Sequence, residues 1–130
     1  MRRPRVLSVG QCGFDHAGIV RRLNAICEAE TVAANSARTA LDLLRAGGFD
    51  LVLVNRVFDA DGASGLDLIR SLKSNADLSD TQIMLVSNYE SAQSEAIEHG
   101  ALPGFGKSDL NSAETAVKIR AVLTPVVKPV

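Results

Sequence analysis

The stretch DLVLVN, residues 50–55, decides how the rest of the chain is read. Its unbroken apolar run, Leu51 to Val54, fits a strand covered on both faces, as in a parallel sheet between two layers of helices. The run ends on Asn55, a carboxamide where many α/β proteins place a carboxylate.

Outward from this strand, apolar runs alternate with segments of helical period. RVLSVG (5–10), TVAAN (31–35) and QIMLVSN (82–88) read as further strands. ALPGFGK (101–107) is a poor fifth strand, with Pro103 and two glycines, and belongs at an edge. Asp15 is expected to cap a first helix with Ile19, Val20, Leu23, Ile26 and Cys27 on one face. Ser36 caps a second, with Ala37, Ala40, Leu41 and Leu44 inward, stopped at Gly47–Gly48. A third turns Leu66, Ile69 and Leu72 inward. YESAQSEAIEHG is a short helix ended by Gly100. Ser108–Leu123 is a last amphipathic helix, with TPVVKPV trailing.

The pattern is (βα) five times, and it predicts one α/β domain over 1–130. The expected architecture is a doubly wound, five-stranded parallel sheet with helices on both faces. Its ligand site should lie at the carboxyl ends of the strands, which hold Gly10–Gln11, Asn55, Ser87–Asn88 and Lys107.

Composition narrows the function. The chain has 130 residues, 46% apolar and 22% charged, with a formal net charge of −1. Beyond Arg2, Arg3 and Arg5 there is no basic block, which argues against nucleic acid as a partner. The apolar run behind those arginines ends at Gly10–Gln11, too soon for a signal peptide, and no run reaches membrane-span length, so a cytoplasmic location is expected. Cys12 and Cys27 match neither a CxxC nor a zinc spacing and read as free thiols, Cys12 with some scope for reactivity.

In these motifs the chain resembles the receiver domains of response regulators in two-component signalling, over essentially its whole length. That family has the flavodoxin-like fold, an acidic pair after the first strand and a phosphorylated aspartate ending the third. A serine or threonine ends its fourth strand and a lysine its fifth. Ser87 in LVSN matches the hydroxyl, Lys107 in FGKS matches the lysine, and GLDLIRSL (65–72) resembles the start of the third helix. Gly10 and Gln11 stand where the acidic pair would be, and Asn55 where the aspartate would be. Gly104 takes the place of the aromatic that reports the switch, and the loop after Asn55 is longer than the family's.

The resemblance therefore implies an atypical, or pseudo-, receiver. A carboxamide is no phosphoryl acceptor, and a hard divalent ion needs carboxylates. The degenerate phosphorylation-site positions are Gly10, Gln11, Asn55, Ser87 and Lys107, with no catalytic residue, metal or cofactor expected. Lys107 should find neutral acceptors, such as the side-chain oxygens of Asn55 and Gln11. The implied role is phosphorylation-independent protein–protein interaction within phosphorelay-type signalling. Its partners would be signalling proteins, with a homodimer as a further option and neither membrane nor nucleic acid involved.

The chief alternative is a small-molecule or nucleotide-phosphate binder using the strand ends and the Ala101–Ser108 loop, ALPGFGKS, which nearly fits GxxxxGK[ST]. The acidic residue such a site needs on a neighbouring strand is missing. DADG (59–62) fails as a calcium loop because Arg70 falls at its twelfth position, so it reads as a turn. Asp15 and Asp59 could form a displaced metal site near Asn55. His16 and His99 sit in no ligand spacing. Tyr89 and the phenylalanines read as core or edge packing.

Overall fold

The computed structural model describes residues 3–127, so Arg2 and the last residues of TPVVKPV lie outside it. The strands are β1 (Arg5–Val9), β2 (Glu30–Ala34), β3 (Leu51–Asn55), β4 (Ile83–Val86) and β5 (Leu102–Phe105). The helices are α1 (Gly13–Cys27), α2 (Ala37–Ala46), α3 (Gly65–Ser74), α4 (Glu90–Glu98) and α5 (Ala113–Val127). The strands form one sheet in the order β2-β1-β3-β4-β5, every pairing parallel. This is the flavodoxin-like, doubly wound arrangement, with β5 at an edge, where its Pro103 and Gly104 are tolerated.

β3 is central, and all five of its residues are buried. Alternation across the strand divides them between two cores. Val52 and Val54 join Leu44, Ile69, Leu72 and Ala96, under α2, α3 and α4. Leu51 and Leu53 join Ile19, Leu23, Ile119 and Leu123, under α1 and α5. This double cover makes the run DLVLVN apolar without interruption.

Several local expectations are corrected. α1 starts at Gly13, two residues before Asp15, and its N-cap is Cys12, whose sulfur accepts from the Asp15 N–H at 3.4 Å. Cysteine is an unusual cap, so the chain offered Asp15 as the better signal. α5 begins at Ala113 and not at Ser108. Lys107–Asp109 forms a 3-10 turn, and Ser112 caps α5 by accepting from the Thr115 N–H at 3.1 Å. α5 also continues through Thr124 to Val127, which the sequence suggests as tail. In α3, Leu68 is buried with Ile69 and Leu72, whereas Leu66 is only partly covered. Phe58 and Phe105 are core residues, but Phe14 and Tyr89 are 82% and 60% exposed.

Candidate functional site

Parallel strands bring their carboxyl ends to one edge of the sheet, and Gly10, Gln11, Asn55, Ser87 and Lys107 all fall there. Asn55 and Lys107 share a cavity of about 410 Å³ with Cys12, Asp15 and Asp59.

Asn55 is 7% exposed and works as a donor. Its Nδ2 donates to the carbonyl oxygens of Gly10 at 2.9 Å and Val57 at 2.7 Å. A carboxylate could make neither bond, since it has no hydrogen to give. The amide thus ties the end of β1 to the loop after β3. The Gly10 carbonyl also accepts from the Asp59 N–H at 2.9 Å, closing the same junction. Phe58, 1% exposed, fills the space beneath it.

Lys107 departs from expectation. Its Nζ lies 2.8 Å from Oδ2 of Asp15 and so pairs with a carboxylate, not with neutral acceptors. Asp15 is free to do this because Cys12, not Asp15, caps α1. The Lys107 hydrogen bond holds the Asp15 carboxyl below its ordinary value, against partial desolvation, with smaller help from Cys12 and from the Lys107 charge. Gln11 offers nothing to the ammonium. It is 7% exposed, and neither atom of its amide has a partner among the described residues.

The β4 and β5 ends are closed by short hydrogen-bonded loops. The Ser87 hydroxyl oxygen accepts from the Tyr89 N–H at 3.2 Å. Oδ1 of Asn88 accepts from both the N–H and the hydroxyl of Ser108, at 3.1 and 3.0 Å. The Lys107 ammonium is therefore already engaged by Asp15, and the N–H and hydroxyl of Ser108 by Asn88. Arg56 lies over the Tyr89 ring at 4.7 Å.

Sequence reasoning missed Gln93. Its Nε2 donates to the carbonyl oxygens of Leu85 at 2.9 Å and Ser87 at 3.1 Å, while its Oε1 accepts from the Gly104 N–H at 3.2 Å. It bridges β4 and β5 where their register shifts between Met84 and Val86. Gly104 permits this, because a Cβ there would lie 2.1 Å from the Leu85 carbonyl oxygen. Nothing in the sequence marks Gln93, since a glutamine on a short helix reads as surface. Asp15 did carry a signal, as a carboxylate at the start of α1, shortly after the end of β1.

DADG is a turn: the Asp61 carboxylate accepts from the Ala63 N–H at 3.0 Å. Among the described residues, no group of three or more His, Cys, Asp or Glu side chains is placed to hold a metal ion. Both cysteines are free, and burial pushes the Cys27 thiol up.

No protein-family profile matches the chain, and no curated protein matches it in sequence. Solved structures do match. A response regulator from Thermotoga maritima aligns at TM-score 0.75 and 21% identity, over 95% of this chain and 99% of that one. The signal receiver domain of a DNA-binding response regulator from Colwellia psychrerythraea aligns at 0.78 and 19%, over 93% and 98%. The chain has the receiver fold. The signal receiver domain of a histidine kinase from Syntrophus aciditrophicus gives the same receiver geometry, at TM-score 0.76 and 19% identity over 98% and 95%. Within the receiver fold, the five positions above are the ends of β1, β3, β4 and β5 or the residues that follow them. No helix among the described residues is long and apolar enough to cross a membrane.

Proposed function

We propose that this chain is an atypical receiver domain of two-component signalling that acts by protein–protein interaction and takes no phosphoryl group. The observation that carries the reading is the Asn55 side chain, which donates to two carbonyl oxygens and leaves no nucleophile at the end of β3. Lys107, the cation that would stabilise a transferring phosphoryl group, is engaged by Asp15. Gly10 and Gln11 supply no charge to a divalent ion. The protein is read as a cytoplasmic binding module, not an enzyme, with other signalling proteins as partners. Asp15 and Asp59, without a third carboxylate, are not read as a displaced metal site.

Partner docking is placed on α4, β5 and α5, where Tyr89, Ile97 and Val117 are 60%, 45% and 64% exposed. Exposed apolar side chains on an edge of this kind favour association, including with a second copy. The test has two arms. Incubation with acetyl phosphate and Mg²⁺ should leave no acid-labile phosphate on the chain, and a stoichiometric label would overturn the reading. Hydrogen exchange with a captured signalling partner should show protection on α4–β5–α5, and protection confined to α1 would show that the face is wrong.

The nucleotide-phosphate alternative loses its main support, because the N–H and hydroxyl of Ser108 are spent on Asn88.

A further inference from the structure

Five buried side-chain polar atoms among the described residues lack a hydrogen-bond partner: Ser8 Oγ, Gln11 Nε2 and Oε1, His16 Nδ1 and Thr31 Oγ1. The first four belong to residues that line one cavity of about 300 Å³ between the ends of β1 and β2 and the start of α1. Ser8 is 1% exposed and Gln11 is 7% exposed, so bulk water does not satisfy them. Polar groups buried this deeply nearly always have partners, and several orphans around one cavity call for a shared one.

Gln11 also borders a more apolar cavity of about 340 Å³ beside Ile19 and Phe105. The Gln11 amide alone would not choose between the two. Ser8 and His16 line only the first, and they decide it.

We propose that this cavity binds a small zwitterion of the amino-acid class. Its lining includes Ser8, Gln11 and His16, whose side chains hold the unpartnered atoms, together with Gly13 at the start of α1. The first N–H groups of a helix have no intrahelical partner and carry partial positive charge. Together these groups suit a carboxylate. No lysine or arginine lines the cavity, which leaves a dianion such as phosphate without a counter-charge. Asp59, an exposed carboxylate, and Asn35, also exposed, are on the same lining, and the carboxylate suits an ammonium group. A Cβ at Gly13 would meet nothing within 4 Å, so the entrance beside α1 is open. Gly10, whose carbonyl receives Asn55, is itself on the lining, so the site touches the degenerate strand-end cluster directly.

The test is titration calorimetry on the full chain with glycine, alanine, serine and asparagine, using propionate and ethylamine as the two halves of alanine. At least one amino acid should bind saturably, with both halves weaker by about tenfold or more, since each lacks one end of the recognition. Asp59→Asn and Ser8→Ala should each weaken binding by about tenfold, the first by removing the ammonium partner and the second a carboxylate donor. Neither substitution threatens folding, because Asp59 is exposed and Ser8 has no partner to lose. Absence of binding up to about 10 mM, equal binding of a half-ligand, or binding indifferent to both substitutions would each overturn the proposal. A crystal soaked with the amino acids that shows only ordered water in the cavity would do the same. Phosphoryl labelling of the chain would defeat the function proposed above and leave this outcome untouched.

Discussion

Phe58 packs against the backbone of Gly10 so closely that a Cβ at position 10 would come within 2.2 Å of its ring. Gly10 also has φ +76°, where a side chain is strained in any case. The packing therefore excludes a side chain at position 10, and a residue from the loop after β3 occupies its space.

Gly10→Asp should consequently destabilise the protein by about 3 kcal/mol or more, through overpacking and backbone strain together. Adding Phe58→Ala should not recover the loss, because it opens a cavity while the strain at position 10 stays. Urea unfolding of the single and double variants measures both effects. A Gly10→Asp protein as stable as the parent would show that neither the Phe58 contact nor the backbone conformation opposes a side chain there.

Asn55→Asp should cost about 2–4 kcal/mol at neutral pH, since a buried carboxylate would face the Gly10 and Val57 carbonyl oxygens with no proton to donate. Burial and those oxygens raise the folded-state pKa of the new carboxyl, so the penalty is present above it and fades as pH falls. Unfolding curves of parent and variant should converge toward acid. The variant should still take no label from acetyl phosphate.

The Asp15–Lys107 pair should show the opposite dependence. The folded pKa of Asp15 lies below its ordinary 3.8, so its contribution is present above that value and is lost as pH falls through the lower folded value. The pair is partly exposed, so Asp15→Asn should cost no more than about 1 kcal/mol at pH 7. Parent and Asp15→Asn stabilities, followed from neutral pH into acid, should merge below the folded pKa.

Gln93→Ala should cost about 2 kcal/mol, because it removes a donor shared by three carbonyls and an acceptor for the Gly104 N–H. Amide exchange should quicken at Gly104 and Phe105 before it does in β3. Gly104→Tyr should destabilise as well, and should not install a mobile aromatic, because the Leu85 carbonyl blocks its first carbon.

The sequence by itself determined the architecture, because hydrophobic burial imposes the pattern that the eye can follow. DLVLVN is apolar throughout since β3 is covered on both faces, and Pro103 with its neighbouring glycines marks β5 as an edge. The positions at the strand ends were equally legible, since parallel topology sends every strand's carboxyl end to the same side. The tertiary structure alone decided who partners whom there. Lys107 meets Asp15 across 92 positions of chain because Cys12 takes the cap of α1 and frees the carboxylate. Phe58 fills the space over Gly10, and Gln93 staples β4 to β5, through contacts of fixed distance and direction. Such contacts depend on where the backbone carries each group in space, and spacing along the chain holds no record of that.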